Sequence, residues 1–334
     1  MKHKITLRNG KRSFSAWSSH PQTLLGEPLA YERVIFLLHG FPDNNDSYNE
    51  MTPILKSHFE GRKEKSVLII APLMRGYEAL SQGQSNEYCM YELAQDVLVW
   101  IQEVNPQKNL PVHIVGHDWG AIVAFKTASK YPELITSMVT LAIPYMTNLR
   151  PWHFLWYFPK QIWCLSYMLR MQSALFYRPA FGDVCKPGYL DSLWRFWSPD
   201  WDFSREIEPV RQTLAEPGVL DAATAYYRNL IPWKNLQEFG WPVDFEKVPT
   251  LILGGEKDGC MLAALYDLES RLLASTPRVK VQVLNGVGHF LHREDSVKVS
   301  ELVCDWFDKY DLWAVGVSSG LRAGQAYAHA KSVS

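Results

Sequence analysis

Val112-His113-Ile114-Val115-Gly116-His117-Asp118-Trp119-Gly120-Ala121 passes from a short apolar run, through a polar turn, into an apolar stretch that continues to Ser129. A strand that gives way to a helix within a few residues makes a sharp bend, and glycines on either side let the two arms pack closely. Asp118 stands at the apex. The helix beginning beneath it turns the positive end of its dipole toward that carboxylate. Aspartate is also a common helix cap, but a cap requires neither a preceding strand nor two flanking glycines. The pattern is a nucleophile held on a strand–helix elbow, with aspartate where serine is usual.

Outward from the elbow the chain alternates. Short apolar runs recur at Val34–Leu38, Val67–Ile70, Met138–Leu141, Leu251–Leu253 and Val279–Val283, as expected for strands covered on both faces of a parallel sheet. Helical patterns lie between them at 90–104 and 120–130. Before them, residues 3–8 and 12–17 flank Asn9-Gly10, a strong hairpin signal. The expectation is an α/β protein with a parallel sheet after an antiparallel start. From 145 to 246 the rhythm stops and aromatic residues crowd in, with helical segments at 160–176 and 219–230 broken by prolines. It resumes at Pro249. Residues 1–144 and 247–317 thus read as a core and 145–246 as a helical cap able to roof a pocket. Residues 318–334, small and polar, are expected to be a mobile tail. The long segment 18–32, before the first catalytic-face strand, carries no recognisable function.

Composition narrows the classes. With 334 residues, 47% apolar and 21% charged, the chain is a globular core with one large insertion rather than a disordered segment. The net charge of -1, from 34 basic and 35 acidic residues, offers no excess to bind phosphates, which excludes nucleic acid as a partner. The mixed run Arg62-Lys63-Glu64-Lys65 reads as a solvated loop. The five cysteines form no CxxC pair and read as free thiols of a reducing compartment. Basic residues precede any apolar run at the N-terminus, and no stretch approaches the ~20 apolar residues of a spanning helix. A cytoplasmic protein without a membrane span is expected.

The choice of aspartate constrains the reaction. A carboxylate is anionic at neutral pH and attacks without a base. Displacement at a saturated carbon leaves an alkyl ester that water can hydrolyse, whereas serine would leave a stable ether. Hydrolysing the ester requires N–H donors for the developing oxyanion. The backbone N–H groups of Trp119 and of Phe41, in His39-Gly40-Phe41-Pro42, are the candidates. A base must activate water, and His289 in Gly286-Val287-Gly288-His289-Phe290 follows the last strand. Its orienting acid belongs in Gly254-Gly255-Glu256-Lys257-Asp258, where Asp258 is preferred and Glu256 is the alternative. Nucleophile, acid and histidine then follow in hydrolase order. The other nine histidines read as structural or surface residues. No cofactor or metal is required.

The motifs His39–Asp43, Ala71–Tyr77, Gly116–Gly120, Gly255–Asp258 and Gly288–Phe290 occur in one order across about residues 30 to 295. In this the chain resembles the epoxide hydrolases of the α/β-hydrolase superfamily. The resemblance implies an α/β-hydrolase core, a mostly parallel eight-stranded sheet flanked by helices, with an inserted helical cap. It implies water addition to a small apolar epoxide through a hydroxyalkyl ester on Asp118. It also implies two cap tyrosines that hold and protonate the epoxide oxygen. Tyr227, in Ala225-Tyr226-Tyr227-Arg228-Asn229, matches the second. Tyr167, in Ser166–Gln172, matches the first more loosely, because Ser166 replaces the usual aromatic; Tyr157, Tyr177 and Tyr226 are the alternatives. His39, Pro42 and Phe290 are expected around the substrate pocket. A haloalkane or fluoroacetate-type dehalogenase shares the aspartate, histidine and acid, but dehalogenases of the former type usually carry Asn at the position of Phe41. A noncatalytic ligand-binding protein and an ester hydrolase are the remaining readings; the first would not need an intact triad, and the second would need the missing serine.

Overall fold

The computed structural model describes residues 2–26, 31–60, 66–150, 152–153, 159–231 and 238–318, with side chains as far as 311. Eight strands form one sheet: β1 (His3–Asn9), β2 (Arg12–Ser18), β3 (Tyr31–Leu38), β4 (Ser66–Pro72), β5 (Val112–His117), β6 (Ser137–Leu141), β7 (Thr250–Gly255) and β8 (Val279–Leu284). The order is β1-β2-β4-β3-β5-β6-β7-β8. β1 pairs antiparallel with β2 across the Asn9-Gly10 turn, where Gly10 takes φ 58°. β2 is antiparallel to β4, and every pairing from β4 to β8 is parallel. The antiparallel start and parallel continuation are as the sequence predicts.

Alternate side chains of a strand go to opposite faces, and β3 shows what that does here. Val34, Phe36 and Leu38 join one core with Trp100 of α2 (Met90–Val104) and Phe125 of α3 (Trp119–Lys130). Ile35 and Leu37 join the other, with Leu55 and Phe59 of α1 (Met51–Glu60) and Val299, Val303 and Phe307 of the last helix, Ser296–Ser318. Burying each large side chain contributes about 1.5–3 kcal/mol, so both faces need cover. No helix among the described residues is long and apolar enough to cross a membrane.

The insertion between β6 and β7 contains helices Pro159–Cys164, Tyr167–Arg170, Ala174–Phe181, Tyr189–Trp197, Ile207–Ala215 and Val219–Arg228. The single helical segment expected at 160–176 is therefore split. One break falls at Leu165-Ser166. The other falls before Ser173, whose Oγ accepts from Leu175 N at 3.3 Å and starts a new helix. Two further helices, unmarked in the sequence reading, lie between Gly188 and Ala215. Both junctions of the insertion are tied to the core. Glu269, on the helix Ala263–Leu272, accepts from Tyr145 N at 2.6 Å and Met146 N at 2.7 Å. Tyr145 Oη in turn accepts from Val243 N at 2.7 Å, and Tyr145 O from Trp241 Nε1 at 3.0 Å. The segment 18–32 is pinned where it is described: Ser19 Oγ donates to Val67 O at 2.8 Å, and Thr6 N donates to Gln22 Oε1 at 2.6 Å. The loop Arg62–Lys65 and residues 319–334 of the tail lie outside the described residues.

Candidate active site

In a sheet of this kind, connections leave in opposite directions from neighbouring strands at one point, and ligands bind beyond the carboxyl ends there. β3 and β5 are such neighbours. The loop 39–42 follows β3, Asp118 follows β5, Asp258 follows β7 and His289 follows β8. The topology thus converges on residues far apart in sequence.

Asp118 has φ 50° and ψ -119°, a backbone conformation that costs a non-glycine residue about 1–3 kcal/mol. The bend holds because its arms are fixed. Asp118 N donates to Leu141 O at 3.1 Å, and Asp118 O accepts from Ala121 N at 2.9 Å. Gly120 permits the approach of α3 to β3, since a Cβ there would meet Leu38 O at 2.0 Å. Gly40 permits the approach of the 39–42 loop to the aspartate side chain itself.

The carboxylate is held on both sides. Phe41 N donates to Oδ1 at 2.8 Å, and His289 Nε2 stands 3.6 Å from Oδ2. His289 is wholly buried, and its Nδ1 is 2.9 Å from Asp258 Oδ2. Asp258 Oδ1 is fixed by Cys260 N at 2.6 Å and Met261 N at 3.0 Å. The structure therefore brings Asp118, His289 and Asp258 together. Glu256 instead accepts from Gly286 N at 2.9 Å on the surface. Burial alone would lower the pKa of His289, but the charges of Asp258 and Asp118 and hydrogen bonds to both push it up to about 10. Trp119 opens α3, where leading N–H groups have no partner one turn back.

Above the carboxylate lie two phenols. The Tyr227 ring packs edge-on against Trp119 at 4.9 Å, Phe41 at 5.4 Å and Tyr167 at 5.7 Å. Its hydroxyl is buried without a hydrogen bond in good geometry, although Tyr167 and the Trp119 indole are close enough to act on its proton. Part of the Tyr167 side chain reaches the surface, while its hydroxyl points inward to Cys260 Sγ at 3.6 Å. Burial first, then the nearby Asp118 charge, raises Tyr227 well above the usual phenol range; burial and the Cys260 sulfur do the same for Tyr167. Both stay protonated and able to donate. The other candidates are committed elsewhere: Tyr226 Oη donates to Arg75 O at 2.6 Å and Tyr177 Oη to Asp221 Oδ1 at 2.8 Å. Tyr157 lies outside the described residues.

His39 Nε2 accepts from Met74 N at 3.0 Å and its Nδ1 is 3.0 Å from Gly40 O; burial depresses its pKa to about 4, so it is a neutral brace for the loop. Pro42 follows a cis peptide bond, and its carbonyl accepts from Trp194 Nε1 at 3.1 Å. Phe290 is fully buried, packed on Trp194 at 4.3 Å and Trp201 at 5.6 Å.

Two site residues escaped the sequence reading. Trp197, from the insertion, accepts through its carbonyl from His289 N at 3.0 Å and Gly259 N at 3.2 Å. Its ring lies 4.9 Å from that of His289 and 5.1 Å from that of Tyr167. No local pattern marks it. Cys260 was legible only through its place two residues after Asp258; burial and the Asp258 charge keep its thiol protonated. Beneath the site, Asp43, His117 and His292 offer ligand atoms within 4.8 Å of one another. Arg293 Nη2, 2.6 Å from Asp43 Oδ1, already supplies the positive charge a cation would bring. A cleft of about 790 Å³ opens beside Pro111, Thr136, Pro249 and Arg278 at the amino ends of the strands, on the edge of the sheet opposite to Asp118.

A family model described as alpha/beta hydrolase fold matches residues 33–296, and the chain belongs to that family. Among curated proteins it is similar to Epoxide hydrolase 3 of Mus musculus, 26% identical over 276 residues, 77% of this chain and 66% of the mouse protein. It is 35% identical over 145 residues to Epoxide hydrolase srdG of Neurospora crassa, covering 43% of this chain and 39% of the fungal protein. The matches thus span just under two thirds of the one and well under half of the other. Among solved structures, a laboratory-evolved variant of potato epoxide hydrolase StEH1 superposes with a TM-score of 0.73 at 19% identity, over 93% of this chain and 100% of that one. At that identity the likeness is one of fold.

Proposed function

We propose that this chain is an epoxide hydrolase that converts a small apolar epoxide and water into a vicinal diol through an ester on Asp118. One arrangement carries the reading. An aspartate whose Oδ1 is held by Phe41 N–H and whose Oδ2 faces His289 lies beneath buried, protonated phenols. Tyr167 and Tyr227 receive the epoxide oxygen. Asp118 Oδ2, the oxygen that does not accept from Phe41 N, attacks a ring carbon; the carbon–oxygen bond breaks and a phenol proton passes to the departing oxygen.

Ester formation prepares the second step. It removes the Asp118 charge that helps hold the His289 proton, so that proton passes to the phenolate left by the first step, restoring the phenol, and the neutral imidazole is freed to act as base while Asp258 keeps its orientation. His289 then takes a proton from water, and the hydroxide attacks the ester carboxyl carbon. Phe41 N–H, joined by Trp119 N–H, stabilises the oxyanion. Collapse releases the diol and restores the carboxylate. Names of relatives support the same reading, as two of the most similar curated proteins are called epoxide hydrolases. Cys89, Cys164, Cys185 and Cys260 form no disulfide, which supports a cytoplasmic location.

His289→Gln should leave the first step and block the second, so that a substrate-sized mass accumulates on the Asp118 peptide. An unmodified peptide after exposure to substrate rejects the scheme. A parallel assay on styrene oxide and a bromoalkane separates the haloalkane dehalogenase alternative, for which bromide would appear without diol.

A further inference from the structure

The first half of the insertion presents a surface that the chemistry at Asp118 does not use. Its helices Pro159–Cys164, Tyr167–Arg170 and Ala174–Phe181 bury Cys164, Tyr177 and Phe181 inward. Outward they expose Trp163 at 64%, Leu169 at 73%, Leu175 at 81% and Phe176 at 61%. Single exposed apolar residues are ordinary, but four large ones exposed between Trp163 and Phe176 mark an interaction site. Trp163 packs on Phe196 at 5.4 Å, and the Arg170 guanidinium lies 4.9 Å from the Tyr189 ring. Tyr189 and Phe196 are two turns apart on the helix Tyr189–Trp197, so the aromatic and basic side chains share one side of it.

Charge selects the occupant. From Tyr145 to Gly182 the sequence holds no Asp or Glu, yet it holds Arg150, Lys160, Arg170 and Arg178. Arg178 is paired with Asp221 at 2.6 Å, whereas Lys160 and Arg170 are exposed and form no ion pair among the described residues. A second copy docking face to face would set these cations against their own equivalents. An anionic lipid surface instead offers headgroups for the cations and an acyl boundary for Trp and Leu. We propose that this face of the insertion lies on an anionic phospholipid bilayer, with Trp163, Leu169, Leu175 and Phe176 at the acyl boundary and Lys160 and Arg170 among the headgroups. The contact is peripheral, requires no spanning helix, and is independent of the reaction at Asp118.

The test is co-sedimentation of the whole chain with vesicles of equal parts phosphatidylserine and phosphatidylcholine, against pure phosphatidylcholine, at low and high salt. Binding to the mixed vesicles that weakens with salt and nearly vanishes on phosphatidylcholine is expected. Replacing Lys160 or Arg170 by Ala should each weaken binding about fivefold, roughly 1 kcal/mol per charge near the surface. Leu175→Glu should abolish it with an unchanged thermal midpoint, because that side chain is mostly in solvent; Phe176→Glu is the companion should the first variant misfold. Asp118→Asn should bind as the parent does, which separates this inference from the catalytic reading. Absence of binding to mixed vesicles at low salt overturns the proposal, as does a dimer in sedimentation velocity that Leu175→Glu dissociates.

Discussion

Gly40→Ala tests the coupling between the 39–42 loop and the nucleophile. A Cβ on residue 40 would stand 2.4 Å from Asp118 Cβ and 2.5 Å from Oδ1, where ordinary contact begins near 3.4 Å. Loop or side chain must therefore yield by about 1 Å, the difference between 3.4 and 2.4 Å. Phe41 N, on the next residue, is 2.8 Å from Oδ1; the same displacement takes it to about 3.8 Å, outside hydrogen-bonding range. Losing one oxyanion donor costs roughly 10²–10³ in rate, about 3–4 kcal/mol. Rapid-quench single turnovers, with the Asp118 peptide weighed at each time, should show ester hydrolysis slowed at least 100-fold and adduct accumulating. A folded variant that hydrolyses the ester within a few-fold of the parent refutes the role given to Phe41 N–H.

Tyr227→Phe removes the buried hydroxyl that has no well-formed hydrogen bond, so alkylation should slow by about 10²–10⁴ while ester hydrolysis keeps its rate; equal slowing of both steps in pre-steady-state mass spectrometry counts against an acid role. Glu269 gives a pH dependence of stability. Burial raises its pKa from 4.5 to about 7 against the opposing pull of the Tyr145 and Met146 N–H groups. Between those values the folded chain retains a proton that the unfolded chain has lost, so its contribution is greatest below about pH 4.5, falls as pH rises through about 7, and levels off above. The span is worth about 3 kcal/mol at most. Urea midpoints taken across this range should fall with pH in the parent and show a flatter profile in Glu269→Gln; an identical slope in both rejects the assignment.

Legibility followed burial and locality. Strands covered on both faces read as unbroken apolar runs, which is why Val34–Leu38 and Val67–Ile70 were plain. Their polar ends, such as Ser66 and Ser137, join the ladder through backbone pairing that no side-chain pattern announces. Asp118, His289 and Asp258 were visible because each follows a strand at the catalytic edge. The insertion was harder. Its short helices are set by caps such as Ser173 and by aromatic packing rather than by a sustained period, so 160–176 read as one segment. Trp197 left no trace, since it serves through a carbonyl and a ring whose partner His289 lies 92 residues onward in a different element. His39 read as pocket lining, whereas both of its ring nitrogens meet backbone groups.

The nucleophilic role of Asp118 is tested most directly by a single turnover in heavy-oxygen water with enzyme in excess over styrene oxide, followed by mass analysis of the peptide containing residue 118. Attack by the side chain and hydrolysis at its carboxyl carbon should place the heavy oxygen in Asp118 and leave the first-formed diol with none from solvent. Heavy oxygen in the diol, with the Asp118 peptide unlabelled, would mean that water opens the ring directly and that no ester forms.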